Sequence, residues 1–199
     1  MNGNRWGPQG PPPESYGRVT NPERFAALHG VVTALLARLE QEFDVEPAES
    51  FGLDPELEDH LTLARPTLRL APRHNDGAAI VVTFSAFPGV RVRFGRWCMR
   101  AFPACGCDAC DETAEGEADQ LTWMVGSVVA GRFRETISIE SDGHVWSEWE
   151  AQSANARSSQ RSRLEGDAAR QLLSDRDRVR YEWKPWSRRE SRSAAGSSV

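Results

Sequence analysis

The feature that most restricts how this 199-residue chain can fold is a run in which all four cysteines fall within thirteen residues. They are Cys98, Cys105, Cys107 and Cys110, and the last three form the pattern C-x-C-x-x-C. An alternating, strand-like pattern precedes the run, and a helical pattern follows it. We therefore expect the cysteines to lie where the chain passes from a strand into a helix.

The sequence before the cysteines changes from a helical period to a strand period. Apolar residues recur every three or four positions from Phe25 to Phe43, after Asn21 and Pro22, which are typical of a helix start. A shorter helix is predicted to open at Asp54 and to end before Pro66. Strands are predicted at residues 67–71, 79–87 and 90–94, the last two forming a hairpin.

The sequence after the cysteines predicts a second long helix and a second hairpin. The helix begins at Asp108 as its N-cap and stops at Gly131, which puts Cys110 at the start of its buried stripe. The remaining predicted elements are strands at 133–140 and 145–150, a short helix near 164–173 and a strand at 179–183. The fold class is therefore α+β, an antiparallel β-sheet of about five or six strands covered by two long helices and one or two short ones.

Composition divides the chain into a domain and two tails. Residues 1–14 are rich in Pro and Gly and residues 187–199 in Ser and Arg, so we expect both segments to be disordered. Residues 15–186 are predicted to form a single α+β domain. Within it, residues 151–163 lack any apolar period and are predicted to be a flexible loop.

Charge and hydropathy restrict the compartment and the partners. The net charge is −5, but residues 157–192 carry eleven basic and six acidic side chains, so the rest of the chain sums to about −10. An acidic body argues against nucleic-acid binding over the whole surface. With no apolar run of about 18 residues and no signal-peptide pattern, we expect a cytoplasmic protein that does not enter a membrane.

In a reducing compartment, clustered cysteines indicate a metal site more than disulfides. Zinc takes four tetrahedral thiolate or imidazole ligands, and the close spacing with Gly106 allows the backbone to fold around one ion. We therefore predict a structural zinc site on Cys98, Cys105, Cys107 and Cys110. Neighbouring Arg96 and Arg100 would favour the thiolate form, and His144 is a substitute ligand if the second hairpin covers the site.

Other interpretations of the cysteines stay open. Cys107 and Cys110 form a C-x-x-C motif between a strand and a helix, as in thiol-disulfide redox proteins, although the parallel βαβ surroundings of such proteins are missing. An iron–sulfur cluster also accepts four thiolates. In the last interpretation Cys98 and Cys110 are small buried residues, and Cys105 and Cys107 are loop thiols without a function.

No other segment predicts a reaction. The four histidines are scattered, and no nucleotide-binding, hydrolase or metalloprotease motif occurs. The Arg-rich C-terminal region, with Trp183 and Trp186 among its basic residues, is an alternative surface for nucleic acid or another anionic partner, although interspersed charge is also the ordinary surface pattern. We predict a non-enzymatic binding or regulatory module. The sequence does not identify its partner: it argues against nucleic acid and leaves a protein partner open.

Five segments carry a resemblance to a known family: Ser15–Phe25, Gly52–Leu57, Val92–Cys98, Phe102–Glu112 and Glu182–Trp186. They resemble a family of uncharacterised, mainly actinobacterial proteins that carry a single domain of unknown function. The resemblance covers about residues 15–189. It implies a bacterial one-domain protein, and it brings no activity, cofactor or partner with it.

Overall fold

The computed structural model describes residues 6–74, 76–164, 173 and 176–190, which form nine strands, three α-helices and four short 3-10 turns. In chain order the helices and strands are α1 (Ala27–Glu42), β1 (Val45–Ser50), α2 (Pro55–Glu58), β2 (Thr67–Pro72), β3 (Ile80–Phe84), β4 (Val90–Phe94), β5 (Cys98–Phe102), α3 (Ala114–Val129), β6 (Phe133–Ile139), β7 (Val145–Gln152), β8 (Arg157–Leu164) and β9 (Arg178–Glu182).

All paired strands are antiparallel, and they form two sheets. The first sheet is a meander in the order β1-β2-β3-β4-β5, and the second has the order β8-β7-β6-β9. The α+β class is confirmed, but the single sheet of five or six strands is wrong. The three unpredicted strands, β1, β5 and β8, all lie at sheet edges. An edge strand pairs on one side only, so it needs less of the apolar alternation that reveals an inner strand.

The predicted flexible loop at residues 151–163 is wrong, because these residues form the end of β7 and most of β8. β8 pairs with β7 along its whole length, from Arg157 opposite Gln152 to Leu164 opposite Val145. Its side chains are exposed or half-buried, and the strand consists mainly of Ser and Arg. A strand that buries no apolar face leaves no apolar period in the sequence.

The hydrophobic core contains residues of the two long helices, α1 and α3, and of both sheets. The predicted apolar stripe of α1 is buried at Leu28, Val32, Leu35, Leu36 and Leu39. α1 packs against α3, and α3 also contacts β5 and β7, so it touches one strand of each sheet. Both long helices have 16 residues. Within the described part of the chain, no helix has the length and apolar character needed to cross a membrane.

The helix after the cysteines begins later than predicted. α3 starts at Ala114, and the Thr113 hydroxyl caps it by accepting the N–H of Gly116 at 3.1 Å. Asp108, the predicted cap, instead opens a separate 3-10 turn that ends at Cys110. The left-handed backbone of Asp111 (φ 53°) separates this turn from the helix.

The predicted tails extend beyond the described residues at both ends. Residues 1–5 and 191–199 lie outside them, but Gly7–Gln9 and Pro13–Ser15 form 3-10 turns, and the N–H of Arg189 donates to the Glu42 carbonyl at 2.9 Å. The short helix predicted near 164–173 also falls largely outside, since residues 165–172 are not described and Leu164 belongs to β8.

A buried carboxylate on β6 ties the second sheet to the turn between β4 and β5. Glu135 is 1% exposed. Its two oxygens accept the backbone N–H groups of Arg96, Trp97 and Cys98 at 2.9, 2.7 and 2.7 Å and the indole N–H of Trp183 at 3.0 Å. Gly95 has a φ of +68°, and a Cβ there would overlap the carboxylate, so only glycine fits. This turn fixes the start of β5, the strand that leads to the cysteines.

Candidate metal centre

Cys98 lies apart from the other three cysteines. It is the first residue of β5, is 3% exposed, and belongs to the apolar core. Burial, together with the nearby Glu135 carboxylate, raises the pKa of its thiol well above the usual range. A neutral thiol is a poor metal ligand, because metals bind the thiolate.

The other three cysteines converge in the cysteine loop (residues 105–110), which connects β5 to α3. The sulfur atoms of Cys105, Cys107 and Cys110 all lie within 4.8 Å of one another, and those of Cys107 and Cys110 are 3.4 Å apart. Sulfurs on one tetrahedral zinc ion, with Zn–S bonds of about 2.3 Å, are about 3.8 Å apart. No disulfide joins these cysteines, and Cys105 and Cys110 are exposed while Cys107 is buried. The three sulfurs are therefore spaced to bind one metal ion.

The carboxylate of Glu112 holds the start of the cysteine loop. It accepts the backbone N–H of Gly106 at 2.6 Å and that of Cys105 at 3.3 Å. Gly106 has a φ of +76°, and a Cβ at this position would press on the Phe87 ring at 3.0 Å. Glycine at this position therefore allows the backbone to turn so that Cys105 and Cys107 approach each other.

The N-terminal segment (residues 17–25) packs against the other side of the cysteine loop. The guanidinium of Arg24 donates to the carbonyls of Gly106 and Cys107 at 2.8 and 3.2 Å. The Asp108 carboxylate accepts the backbone N–H and the hydroxyl of Thr20, both at 3.1 Å, and the Asp108 N–H donates to the Arg18 carbonyl at 2.8 Å. The loop is thus fixed by contacts with residues more than eighty positions earlier in the chain.

Hydrogen bonding favours a thiolate at the centre of the cluster. Hydrogen bonds from the Cys105 thiol, the Gly17 backbone N–H and the Cys110 thiol lower the pKa of Cys107 to about 6. The Cys110 thiol, which is bonded to Cys107 and Cys105, has its pKa raised to about 12. The Thr20 N–H lowers the pKa of Asp108 despite partial desolvation, and the charges of Arg24 and Arg18 add to this effect.

The structure brings together three of the four predicted ligands, Cys105, Cys107 and Cys110, and does not include Cys98 in the group. His144, the predicted substitute, lies in the β6–β7 turn, where its N–H donates to Asp142 at 2.9 Å, and it is not in the group either. The charge of Arg100 acts on Cys98 rather than on the cysteine loop. Zinc binding by these residues stays a prediction.

The positioning residues Arg18, Thr20, Arg24 and Glu112 were not predicted from the chemistry of the sequence. One signal pointed to them, since the segments Ser15–Phe25 and Phe102–Glu112 both carried the family resemblance. Polar contacts across so many residues leave no periodic trace in a sequence, and therefore only the structure reveals them.

Some arginines of the Arg-rich C-terminal region form ion pairs with glutamates. Arg180 contacts the Glu182 carboxylate, and Arg188 lies 4.0 Å from Glu42. Residues 191–199 lie outside the described part. Exposed pairs of this kind are typical of an ordinary charged surface.

Comparison with known proteins identifies a family. The model of a family described as a family of unknown function (DUF6226) matches residues 2–190. No curated protein and no solved structure matches the chain. The match confirms the resemblance to a domain of unknown function and extends it beyond residues 15–189 at both ends.

Proposed function

The chain belongs to DUF6226, a family of unknown function, and from the geometry of its site we propose a non-enzymatic zinc-binding module with Cys105, Cys107 and Cys110 as ligands. The observation that carries the proposal is the convergence of three unbridged sulfurs within 4.8 Å. Thiol-rich sites favour zinc and other thiophilic metals over magnesium or calcium. Three clustered thiols also suit zinc better than an iron–sulfur cluster, which usually takes four cysteines.

The proposed ion fastens the cysteine loop to the N-terminal segment. The loop already bonds to Arg18, Thr20 and Arg24, and the Gly17 N–H donates to the Cys107 sulfur. Hydrogen bonds that orient metal ligands typically increase metal affinity. In our proposal the cysteine loop and the N-terminal segment are therefore well ordered only when zinc is bound. Such dependence on a metal is expected of a binding or regulatory module in a reducing cytoplasm.

Three sulfurs leave the fourth tetrahedral position of zinc to another ligand. Because Cys105 and Cys110 are exposed, this position opens to solvent, where a water molecule or a side chain of a protein partner can fill it. Cys98 does not serve in our proposal, since its thiol is buried in the core beside Glu135.

Metal analysis of protein purified without added metal tests the proposal. We expect about one zinc ion per chain, with Cys105, Cys107 and Cys110 protected from a thiol reagent until a chelator or denaturant is added. Cys107→Ser should lose most of the zinc, because it removes the buried central ligand.

Cys98→Ala is the matched control. It removes the one cysteine outside the cluster and should keep the zinc content while costing roughly 1 kcal/mol of stability. Protein that carries no zinc and whose three loop thiols titrate freely before denaturation would contradict the proposal. Zinc lost equally from both variants would contradict the choice of ligands.

A second candidate is a thiol-disulfide redox function with Cys107 as nucleophile and Cys110 as resolving thiol. Their sulfurs are 3.4 Å apart, and the pKa of Cys107 is lowered to about 6, chiefly by the Cys105 hydrogen bond. A thiolate at neutral pH beside a second thiol is the usual arrangement for reversible oxidation.

Mass spectrometry after mild oxidation separates the two candidates. The redox function predicts a reversible Cys107–Cys110 disulfide and a Cys107→Ser variant that folds normally but no longer cycles. The zinc function predicts that bound metal slows this oxidation, and that Cys107→Ser lowers the melting temperature of the metal-loaded protein to that of the chelated wild type.

A further inference from the structure

A cavity separate from the cysteine loop opens where α3 meets the edges of both sheets. Its volume is about 350 Å³, near the lower end of the range of about 300–1,000 Å³ for small-molecule sites. β5 contributes Arg100 and Phe102, α3 contributes Trp123 and Met124, and β7 contributes Trp149. None of the proposed zinc ligands lines it.

One wall of this cavity is apolar and largely aromatic, and polar residues, including Asp119 and Gln120, complete the lining. Phe102, Met124 and Trp149 are 1%, 3% and 8% exposed, so their rings and thioether are held by the core, and the half-buried Trp123 completes the wall. Aromatic rings fixed in this way present flat surfaces on which a planar ligand can stack. The walls therefore favour a small planar, apolar body.

The positively charged guanidinium of Arg100 lies over the aromatic wall of the cavity. The guanidinium carbon of Arg100 lies 5.3 Å from the centre of the Trp149 ring and 6.0 Å from that of Phe102. Within the described residues Arg100 forms no salt bridge, although its charge acts on the buried carboxyl of Glu117. The second arginine at the cavity, Arg157, is already bonded to Glu150. A guanidinium with this freedom can bind a ligand carboxylate through two parallel hydrogen bonds.

One donor behind the cavity wall takes no part in ligand binding. The indole N–H of Trp123 has no acceptor among the described residues, but its nitrogen is buried and presents no surface to the cavity. The polar and charged residues that line the cavity are Arg100, Arg157, Gln120, Ser158 and the exposed Asp119. Arg100 is therefore the group that favours a ligand with acceptor oxygens.

From this combination of aromatic walls and an arginine that forms no salt bridge within the described residues, we propose that the cavity binds a small planar aromatic carboxylate. The ring stacks against Trp149 and Trp123, and the carboxylate pairs with Arg100. This site is independent of the proposed zinc function, because within the described residues no hydrogen bond joins a residue that lines the cavity to the cysteine loop.

Binding of 1-naphthoate to the full-length chain tests the proposal, with 1-naphthalenemethanol as a neutral ligand of similar shape. We expect the carboxylate to bind about tenfold more tightly, because a charge-assisted hydrogen bond contributes about 1.5 kcal/mol or more. Arg100→Gln should abolish this preference. Arg157→Gln, the matched control at the same cavity, should retain it, since the Arg157 guanidinium is occupied by Glu150.

Methionine methyl NMR of the wild type locates the ligand without any variant. The Met124 methyl signal should shift on addition of 1-naphthoate, and that of Met99, which is exposed on β5 and does not line the cavity, should not. No shift of Met124 at millimolar 1-naphthoate would overturn the proposal. Equal binding of the alcohol, or a preference that survives Arg100→Gln, would overturn the role of Arg100. Zinc content should be the same with and without the ligand.

Discussion

Two carboxylates in this protein each gather backbone N–H groups from adjacent residues, and they do so in different surroundings. Glu135 reaches across from the second sheet to Arg96 and Trp97 in the turn before β5 and to Cys98, the first residue of β5. Glu112 reaches back to Cys105 and Gly106 in the loop after β5. The same chemistry thus fixes both ends of the strand that leads to the cysteines.

The two carboxylates differ in how deeply they are buried. Glu135 is 1% exposed and binds a fourth donor, the Trp183 indole, so no hydrogen-bonding capacity remains for a ligand. Glu112 is half-buried, and the loop that it holds has two exposed thiols. A fully satisfied buried carboxylate stabilises a fold, whereas a partly exposed one beside thiols that form no disulfide leaves room for a metal ion.

The largest effect is expected at Glu135. Each of its oxygens accepts two N–H groups, and Glu135→Gln replaces one oxygen with an NH2 group that faces two donors. Burial raises the pKa of this carboxyl, and the four N–H donors offset only part of that rise. We expect a loss of about 3–5 kcal/mol in the free energy of unfolding, measured with urea.

Glu148→Gln is the control for Glu135, because it makes the same change at an exposed position on the neighbouring strand β7. It should change stability by no more than about 0.5 kcal/mol. If both variants unfold at the same urea concentration, Glu135 does not join the two sheets in the way described.

The elements that the sequence predicted are those with a regular buried face. Val90, Val92 and Phe94 alternate because β4 buries one face, and the stripe of α1 repeats because that helix has one apolar side. The edge strands β1, β5 and β8 bury too little on one side to show such a repeat. A pattern in the sequence follows burial, so three of the four edge strands were missed, and only β9, in which Val179 and Tyr181 alternate with charged residues, was predicted.

The candidate site was predicted in part for a related reason. Spacing grouped four cysteines, but spacing does not show that Cys98 is paired within β5, opposite Phe94, while the other three lie in a loop. Asp108 was assigned to the cap of α3, since a nearby helix start was visible and Thr20, 88 residues away, was not. Tertiary contacts at long sequence separation decided both outcomes.

A smaller effect, on metal affinity rather than on folding, is expected at Glu112. Glu112→Ala frees the N–H groups of Cys105 and Gly106 and loosens the approach of Cys105 to the other sulfurs. Loss of such an orienting group typically costs about 10- to 100-fold in metal affinity. Competition with a zinc chelator measures this change. Glu115→Ala, at an exposed position in the first turn of α3, should retain the wild-type affinity, and equal losses in the two variants would contradict the role of Glu112.

The smallest effect is expected at Glu117, which is buried like Glu135 but lacks its donors. It is 4% exposed, and within the described residues the one hydrogen bond given to its carboxylate comes from the Gln120 amide at 3.5 Å. Burial, with the charge of Glu112 adding to it and that of Arg100 opposing it, raises its pKa to about 7 from a usual value of 4.5. A carboxyl whose pKa is raised by folding stabilises the fold while it is protonated, and this stabilisation is lost as the pH rises from about 4.5 through 7.

Glu117→Gln should therefore be more stable than the wild type at pH 8 by roughly 1–2 kcal/mol, a few degrees in Tm, and should gain little at pH 5. Melting curves of both proteins between pH 5 and pH 8 measure the difference, with Asp119→Asn as an exposed control on the same helix. A gain that is the same at every pH would mean that Glu117 does not titrate in this range. A gain confined to high pH would establish that the ionised form of Glu117, which is buried without backbone donors, destabilises the fold. Glu135 differs because its four N–H donors offset part of the cost of burying its carboxylate.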